Sequence, residues 1–413
     1  METLCALPGV AATHVQALVS SSRSPGLQSL KVGVNKSETG TSRTQKQILR
    51  GKLRAAMSSS PPRSGDEVTL MDGSMGRQLC LDGLPQDDLF SKVWSARALV
   101  DESFHGLIVQ AHLTYIAAGS QTITTSNYGV QPTYYQRVYP EDWECHIYRD
   151  TEIAARLAVE AREKATTAGT GVAAPDASTV RVLGSLPPFC ESHRVDLFEA
   201  ALAEHGEDFF VRIYRGVAEA LVRGGVDAFI PETMNNWKEA SFALRACRDF
   251  DLPIILCLEG ALRDEHMRPH PELAPSMAKL VLEEKARGAR IEALGFNCAP
   301  PEHILASLQA VKAEPGLLAS LREADIQLAA YANCCDREAV HNQGFDGSDT
   351  NRVTIRRDLA GDDNQFEGYT KFAQQYISNG ATYIGGCCGC GPNGIVSIRH
   401  LIEQAQNSSS LGP

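Results

Sequence analysis

From about residue 66 onwards, short apolar runs alternate with longer segments in which apolar residues recur at helical spacing. The short runs are rich in β-branched residues and end at small or polar residues, which is typical of buried parallel strands. The predicted strands are Val68–Met71, Gln121–Thr125, Thr179–Leu183, Ala228–Ile230, Pro253–Cys257, Ile291–Phe296, Ile326–Tyr331 and Thr382–Ile384. The predicted helices are Ser103–Ala118, Thr151–Ala165, Phe209–Val222, Trp237–Arg248, Ser276–Arg287, Ile304–Lys312, Phe366–Ser378 and Ile395–Ala405.

Eight strands, each followed by a helix, predict a (β/α)8 (TIM) barrel of the α/β class, with a doubly wound open sheet as the alternative. The positions of polar and thiol side chains favour the barrel, because many of them fall just after a predicted strand. These residues are Asp72, Asn127, Glu232, Asn297, Cys298, Asn333, Cys387 and Cys388. The carboxyl ends of all barrel strands share one rim, where active sites are built.

The predicted domain organisation is an extension at 1–65, the barrel at 66–406 and a disordered tail at 407–413. The extension holds nine Lys and Arg residues but only two acidic ones, and it is rich in Ser and Thr. Such a segment cannot bury a core, so we expect it to be disordered. Its composition is typical of a plastid or mitochondrial transit peptide. Alternatively, the extension carries no targeting signal, or translation starts at Met57. Either alternative implies a cytoplasmic protein.

Charge and cysteine content exclude several classes of protein. The formal net charge is −11, which argues against nucleic acid or an anionic membrane as the main partner. No apolar run reaches the roughly 18 residues that a transmembrane helix needs. The twelve cysteines are spread through a large chain, which favours reduced thiols and metal ligands over a disulfide framework.

Two cysteine motifs carry the strongest chemical signal. Cys298 lies in LGFNCAPPEHI after the sixth strand, and Cys387 and Cys388 lie in YIGGCCGCGPNGI after the eighth. Strands six and eight are next-but-one neighbours in a barrel, so the three thiols can converge. We expect the glycines that flank the adjacent thiols to supply the unusual backbone that aims both inward. Three thiolate ligands with one open coordination position are typical of a catalytic zinc site rather than a structural one.

Taken in order, the motifs LMDGSMGRQL, AGSQTITTSNY, GGVDAFIPETM, GFNC and GGCCG resemble those of the homocysteine S-methyltransferase family. The resemblance covers about residues 66–406. It implies a barrel, one Zn²⁺ per chain bound by Cys298, Cys387 and Cys388, and homocysteine bound to that zinc through its sulfur. The implied reaction transfers a methyl group to the homocysteine thiol and gives methionine, so the expected partners are homocysteine and a methyl donor.

The resemblance also implies residues that hold the substrate. Glu232 matches the acid that contacts the amino acid portion, and we assign it to the α-ammonium group. Asp72 would line the same pocket, and the Gly73 N–H would serve the substrate carboxylate. Thr125 and Asn127, at the end of strand two, complete the predicted contacts. Each acid could instead be a helix N-cap or one partner of a rim salt bridge.

The expected chemistry explains why thiolates surround the metal. Zinc lowers the pKa of a bound thiol, and the thiolate is the nucleophile. The expected donor is S-methylmethionine or S-adenosylmethionine, with a betaine-type donor as an alternative. Selenocysteine or another thiol is an alternative acceptor. Four aromatic residues could face the cationic donor. They are Tyr128, Phe189, Trp237 and Tyr331.

Three further thiols, Cys334, Cys335 and Cys390, also lie on the predicted rim. They could supply an alternative ligand, a redox-sensitive pair, or nothing beyond packing. Their number keeps open a function of another class, a non-catalytic zinc or thiol redox sensor. Asp72 and Glu232 argue against a sensor, which has no need of an amino acid clamp. The oligomeric state is not indicated by the sequence.

Overall fold

The computed structural model describes residues 67–167, 179–190, 195–259, 270–336, 354–361 and 365–410. The predicted extension at 1–65 and residues 411–413 lie outside this part of the chain. Within it, no helix is long and apolar enough to cross a membrane.

Eight strands form one parallel sheet in the order β1-β8-β7-β6-β5-β4-β3-β2. They are β1 (Thr69–Leu70), β2 (Thr122–Thr124), β3 (Arg181–Leu186), β4 (Ala228–Pro231), β5 (Ile254–Glu259), β6 (Ile291–Asn297), β7 (Gln327–Ala332) and β8 (Ala381–Gly386). The outermost strands β1 and β2 are joined by Gln121, whose N–H donates to Leu70 O at 2.7 Å. Its Oε1 accepts from Leu70 N at 2.8 Å. The sheet therefore nearly closes, which confirms the (β/α)8 barrel and excludes the open doubly wound sheet.

Helices cover the outside of the barrel. The longer ones are α1 (Met75–Leu81), α2 (Asp88–Val93), α3 (His105–Ala118), α4 (Trp143–Thr167), α5 (Val195–His205), α6 (Glu207–Gly224), α7 (Trp237–Cys247), α8 (Ala274–Ala286), α9 (Pro301–Ala313), α10 (Leu317–Glu323), α11 (Glu367–Ser378) and α12 (Pro392–Ser410). Helical segments of four residues occur at Arg97–Val100, Pro132–Tyr135 and Arg357–Ala360.

Every predicted strand is present within three residues at either end, and each predicted helix has its counterpart. Helices α1, α2, α5 and α10 and the three four-residue segments were not predicted. Helix α4 begins eight residues before the predicted Thr151. Helix α12 continues to Ser410, so 407–410 are helical where the sequence predicts a disordered tail.

The core has two parts, as expected for a barrel. Apolar residues between the strands and the surrounding helices form the larger part. A smaller cluster fills the barrel interior and includes Met71, Ile230, Cys257, Tyr331 and Tyr383, with Cys387 packed against it. The packed interior therefore supports the rim from below, and the site is built on strands whose own side chains are fixed.

Proline limits the length of the two loops that carry the thiols. Helix α9 begins at Pro301, three residues after Cys298, and α12 begins at Pro392, four residues after Cys388. Proline suits the first turn of a helix because its missing N–H would have no partner there. Each thiol is thus held between a strand end and a nearby helix start.

Candidate metal and substrate site

The three predicted metal-ligand thiols lie together at the carboxyl rim. The Sγ atoms of Cys298, Cys387 and Cys388 are all within 4.8 Å of one another. The Sγ atoms of Cys298 and Cys388 are 3.8 Å apart. Cys298 is buried and the other two are half-buried. Within the part of the chain that the structure describes, this is the only cluster of three or more side chains with metal-ligand spacing.

Backbone bonds to the end of β7 fix both thiol loops. The Cys298 N–H donates to Tyr331 O at 3.2 Å, and the Cys387 N–H donates to Ala332 O at 2.9 Å. Cys298 itself has φ of 51°, a conformation that non-glycine residues adopt in only a few per cent of cases. β7 lies between β6 and β8, so it sets the distance between the two loops.

The glycines around the adjacent thiols serve two different purposes. Gly389 has φ of 79°, as the prediction of an unusual backbone requires. Gly385 and Gly386 do not have a positive φ, so that explanation is wrong for them. A Cβ atom at Gly385 would lie 2.6 Å from Met71 Cβ, and one at Gly386 would lie 2.3 Å from Cys390 Sγ. These two glycines provide space rather than backbone freedom.

The donor set fits a thiophilic metal ion. A tetrahedral zinc site with Zn–S distances of about 2.3 Å places its sulfurs about 3.8 Å apart. The observed separations, from 3.8 Å up to 4.8 Å, need only a small contraction to reach this geometry. Hydrogen bonds with the thiols of Cys298 and Cys388, together with burial, raise the pKa of Cys387 well above its usual value. A bound cation would remove this penalty on ionisation, since the thiolate is the ligand.

Two buried carboxyl groups lie on the same rim. Asp72 accepts hydrogen bonds from Thr124 N at 2.7 Å and from Thr124 Oγ1 at 3.2 Å. Glu232 accepts from Ser185 Oγ at 2.5 Å. Burial raises the pKa of Asp72 to about 7 and that of Glu232 to about 8. Charge repulsion from Asp72 and Cys298 raises the pKa of Glu232 further.

Thr125 and Asn127 are brought to the same rim but are engaged by the protein. The Thr125 hydroxyl donates to Asn127 Oδ1 at 2.6 Å and accepts from Ser185 N at 2.9 Å. Asn127 Nδ2 donates to Ser185 O at 2.9 Å. Both side chains are buried. They hold Ser185 in place, and Ser185 in turn holds Glu232. Direct contact of either residue with substrate stays a prediction.

Ser185 was not predicted as a site residue. It lies inside β3, and the only sequence signal was a hydroxyl in an otherwise apolar strand followed by two prolines.

Gly73 lies where the loop after β1 meets the thiol loop after β8. A Cβ atom there would be 2.4 Å from Cys390 O. On either side of it, Gly386 N donates to Asp72 O at 3.0 Å and Ser74 N donates to Cys390 O at 2.9 Å. The two loops are therefore bonded to each other, and only glycine allows this approach. The predicted bond from the Gly73 N–H to the substrate stays a prediction.

With the geometry established, the comparisons with known proteins decide the family. A family model described as homocysteine S-methyltransferase matches residues 69–402. The chain belongs to the homocysteine S-methyltransferase family. Its members are methyltransferases, so the predicted enzyme class is confirmed.

Other members of the homocysteine S-methyltransferase family align with most of this chain. Homocysteine S-methyltransferase 2 of Zea mays is 26% identical over 352 residues, which cover 83% of this chain and 92% of the relative. Homocysteine S-methyltransferase of Escherichia coli is 25% identical, with 81% and 94% covered. The homocysteine methyltransferase MmuM from Escherichia coli has the same fold. Its oxidised form gives a TM-score of 0.56 at 24% identity, and its metallated form 0.55 at 23%. Each covers 84% of this chain and 99% of MmuM.

The remaining rim thiols of this family member lie beside the cluster and not in it. Cys334 and Cys390 are fully buried and Cys335 nearly so. The Cys334 N–H donates to Cys388 O at 2.7 Å, and the Cys390 N–H donates to Cys387 O at 3.1 Å. The backbone N–H groups of Cys334 and Cys390 thus hold the two ligand residues of the last loop in place. None of the three belongs to the group of thiols with metal-ligand spacing.

Of the aromatic residues considered for the donor, Tyr331 lies near a ligand thiol. It belongs to the interior cluster against which Cys387 packs. The Phe189 ring packs against Phe210 at a centroid distance of 4.5 Å. Tyr128 meets Trp94 edge-on at 6.2 Å. Phe189 and Tyr128 thus pack against other rings.

Proposed function

We propose that this chain transfers a methyl group from a sulfonium donor to the thiol of L-homocysteine, in a zinc-dependent reaction that gives methionine. The observation that carries the proposal is the three-thiol cluster of Cys298, Cys387 and Cys388 on the same rim as the buried acids Asp72 and Glu232. Family membership supports the acceptor, since the family is named for methyl transfer to homocysteine.

Cys298, Cys387 and Cys388 would hold one Zn²⁺. Zinc, when bound there, would lower the pKa of a fourth, substrate thiol so that it reacts as a thiolate near neutral pH. The all-sulfur donor set supports zinc over oxygen-preferring ions such as Mg²⁺. MmuM from Escherichia coli, which shares the fold, has a metallated form.

Glu232 and Asp72 would hold the amino acid part of homocysteine. Both are buried, and burial raises the pKa of each carboxyl group to about 7 or 8. A substrate ammonium group placed between them would favour the ionised carboxylates and would be bound in return. Ser185 donates to Glu232 and so fixes its orientation, while the Gly73 N–H would bind the substrate carboxylate.

The same charges favour a cationic donor. Three thiolates around one Zn²⁺ would carry a net charge of −1, and the carboxylates of Asp72 and Glu232, once ionised, would add to a negative field that attracts a sulfonium ion. In the transfer, the bond between donor sulfur and methyl carbon breaks, its electron pair stays on the donor, and the homocysteine sulfur forms the new bond. S-methylmethionine and S-adenosylmethionine both fit this description. A betaine-type donor is cationic too, and selenocysteine or another thiol remains an alternative acceptor.

Much of the rate would come from holding sulfur and methyl carbon in line. The strand ends fix the three thiols, and the packed barrel interior beneath them excludes water from one side. The Tyr331 ring, in that interior next to Cys387, would present its face to the donor cation.

Methionine formation by the purified full-length protein tests this proposal. Homocysteine would be the acceptor, with S-methylmethionine, S-adenosylmethionine and betaine supplied separately and zinc content measured on the same sample. We expect turnover with a sulfonium donor and one zinc per chain. Cys298→Ser is expected to lose tight zinc binding and turnover together. Cys247→Ser, which changes a buried thiol remote from the cluster, is the matched control and should keep both.

An active, zinc-free Cys298→Ser variant would contradict the mechanism. One bound zinc without turnover on any donor would favour another thiol acceptor or the redox-sensor function.

Localisation is part of the proposal only through residues 1–65, which lie outside the described residues. If they act as a transit peptide, a fluorescent fusion of the full chain enters plastids or mitochondria, and a fusion that begins at Met57 stays in the cytoplasm. If both fusions stay in the cytoplasm, residues 1–65 do not act as a transit peptide.

A further inference from the structure

We infer that Asn297 is a positioning residue that ties the metal-ligand loop to the turn carrying Glu232. Asn297 is the last residue of β6 and directly precedes Cys298. Its Oδ1 accepts from Thr233 N at 3.1 Å, and its Nδ2 donates to Thr233 Oγ1 at 2.8 Å. Asn297 is 0% exposed and Thr233 is 1% exposed, so water does not compete for these bonds. The inference rests on the proposed function, because homocysteine is the ligand that both loops would hold.

Thr233 needs such support because its backbone is strained. Its φ is 56°, and a β-branched residue with positive φ is a true outlier. Strain of this kind is unfavourable and persists only where the surroundings fix it. Asn297 binds both the backbone N–H and the hydroxyl of this one residue. Since Thr233 directly follows Glu232, the bond pair sets the direction in which the Glu232 carboxylate enters the rim.

The bond pair also spans the sheet. Asn297 belongs to β6 and Thr233 follows β4, and β5 lies between these strands. The residue next to Asn297, Cys298, has a positive φ of 51° as well. Two strained turns, one carrying a metal-ligand thiol and the other carrying the acid, are therefore joined side chain to backbone.

Homocysteine makes a fixed distance between these turns useful. Its sulfur and its ammonium nitrogen are joined through three carbon atoms, so it can reach the thiol cluster and Glu232 together only at a narrow range of separations. A site held to that separation before binding loses less free energy on binding than one that must adjust. Ser185 holds the carboxylate of Glu232 by its Oγ, and Asn297 holds the backbone that follows it.

A neighbouring asparagine provides a matched control. Asn236 caps helix α7, and its Oδ1 accepts from Glu239 N at 2.8 Å. Asn236→Ala should lower the thermal unfolding midpoint, as the loss of an N-cap does, without moving Glu232. It lies only four residues from Glu232, so it separates a loss of local stability from a loss of positioning.

The experiment uses the full-length, zinc-loaded protein without a donor. Zinc per chain, the thermal unfolding midpoint and homocysteine affinity by calorimetry are measured for wild type, Asn297→Ala, Thr233→Val, their double variant and Asn236→Ala. We expect Asn297→Ala and Thr233→Val each to weaken homocysteine binding about tenfold or more while zinc stays at one per chain. The double variant should bind homocysteine no more weakly than Asn297→Ala alone, because Asn297→Ala already removes both bonds, including the one to Thr233 Oγ1 that Thr233→Val removes.

A rescue variant adds a readout that a purely structural role would not change. Glycine adopts positive φ without strain, so Thr233→Gly in the Asn297→Ala background should recover part of the lost affinity. Asn236→Ala should lower the unfolding midpoint and leave affinity within about twofold of wild type.

Four outcomes would overturn the inference. Equal affinity losses in Asn297→Ala and Asn236→Ala would reduce Asn297 to a structural residue. Loss of zinc from Asn297→Ala would mean that it serves Cys298 instead of Glu232. A wild-type protein that binds no homocysteine would overturn the proposed function as well. Normal homocysteine binding by wild type, together with unchanged affinity in Asn297→Ala, would overturn the positioning role alone.

Discussion

The Thr125 hydroxyl offers a test of whether the end of β2 supports the site or contacts the substrate. It donates to Asn127 Oδ1 at 2.6 Å and accepts from Ser185 N at 2.9 Å, in a region closed to water. Thr125→Val removes the hydroxyl and keeps the shape. Thr122→Val, three residues earlier in β2, is the matched control, because the Thr122 hydroxyl is buried and has no hydrogen-bond partner among the described residues.

The magnitude follows from the groups that lose their partner. Thr125→Val leaves Asn127 Oδ1 without its donor and Ser185 N without its acceptor. A buried polar group without a partner costs about 1–3 kcal/mol, so two of them should lower the free energy of unfolding by about 2–6 kcal/mol. Thr122→Val removes a hydroxyl that is itself unsatisfied. It should leave the free energy of unfolding within about 1 kcal/mol of wild type, or raise it.

Urea unfolding followed by far-ultraviolet circular dichroism measures both variants. The midpoint should fall for Thr125→Val at an unchanged slope, and it should hold or rise for Thr122→Val. Homocysteine affinity should fall only for Thr125→Val, because Ser185 then orients Glu232 less well. A Thr125→Val protein as stable as Thr122→Val but weaker in homocysteine binding would refute this reasoning and make Thr125 a direct substrate contact.

Three further variants test neighbouring features. Burial raises the pKa of Glu239 to about 7, so its proton stabilises the fold at low pH and this stability is lost as pH rises from about 4.5 through 7. The free energy of unfolding of Glu239→Gln, measured by urea relative to wild type, should therefore rise by up to about 3 kcal/mol between pH 5 and pH 8. A difference from wild type that is equal at the two pH values would contradict this. Gly73→Ala should lose homocysteine affinity and unfolding midpoint, since its Cβ would lie 2.4 Å from Cys390 O; an unchanged variant would show that the loops separate freely. Glu232→Gln should raise the KM for homocysteine at least tenfold with zinc retained, and simultaneous zinc loss would mean that Glu232 is misassigned.

Much of the fold was predictable because the barrel repeats one local pattern. Each strand is a short apolar run followed by a polar residue, and this signal does not depend on contacts elsewhere in the chain. Helices α1, α2, α5 and α10 were missed because each is an addition to the repeat: α1, α2 and α5 lie between a strand and its main helix, and α10 lies between a main helix and the next strand.

The thiol cluster was predictable for a related reason. Cys298, Cys387 and Cys388 each directly follow a strand, and barrel topology brings strand ends to one rim. The supporting contacts were not predictable, because they depend on which side chains meet through space. The bond between Asn297 and Thr233 joins residues 64 positions apart. The space required at Gly386 depends on where the loop places the Cys390 side chain, which the motif that holds both residues does not show.

The central claim is that three cysteine sulfurs hold a zinc ion to which the substrate sulfur adds as a fourth ligand. X-ray absorption at the zinc edge tests it directly on the full-length protein, before and after homocysteine is added. The account predicts three sulfur ligands at about 2.3 Å without homocysteine and four with it. Two or fewer protein sulfurs, or a sulfur count that homocysteine leaves unchanged, would contradict the account.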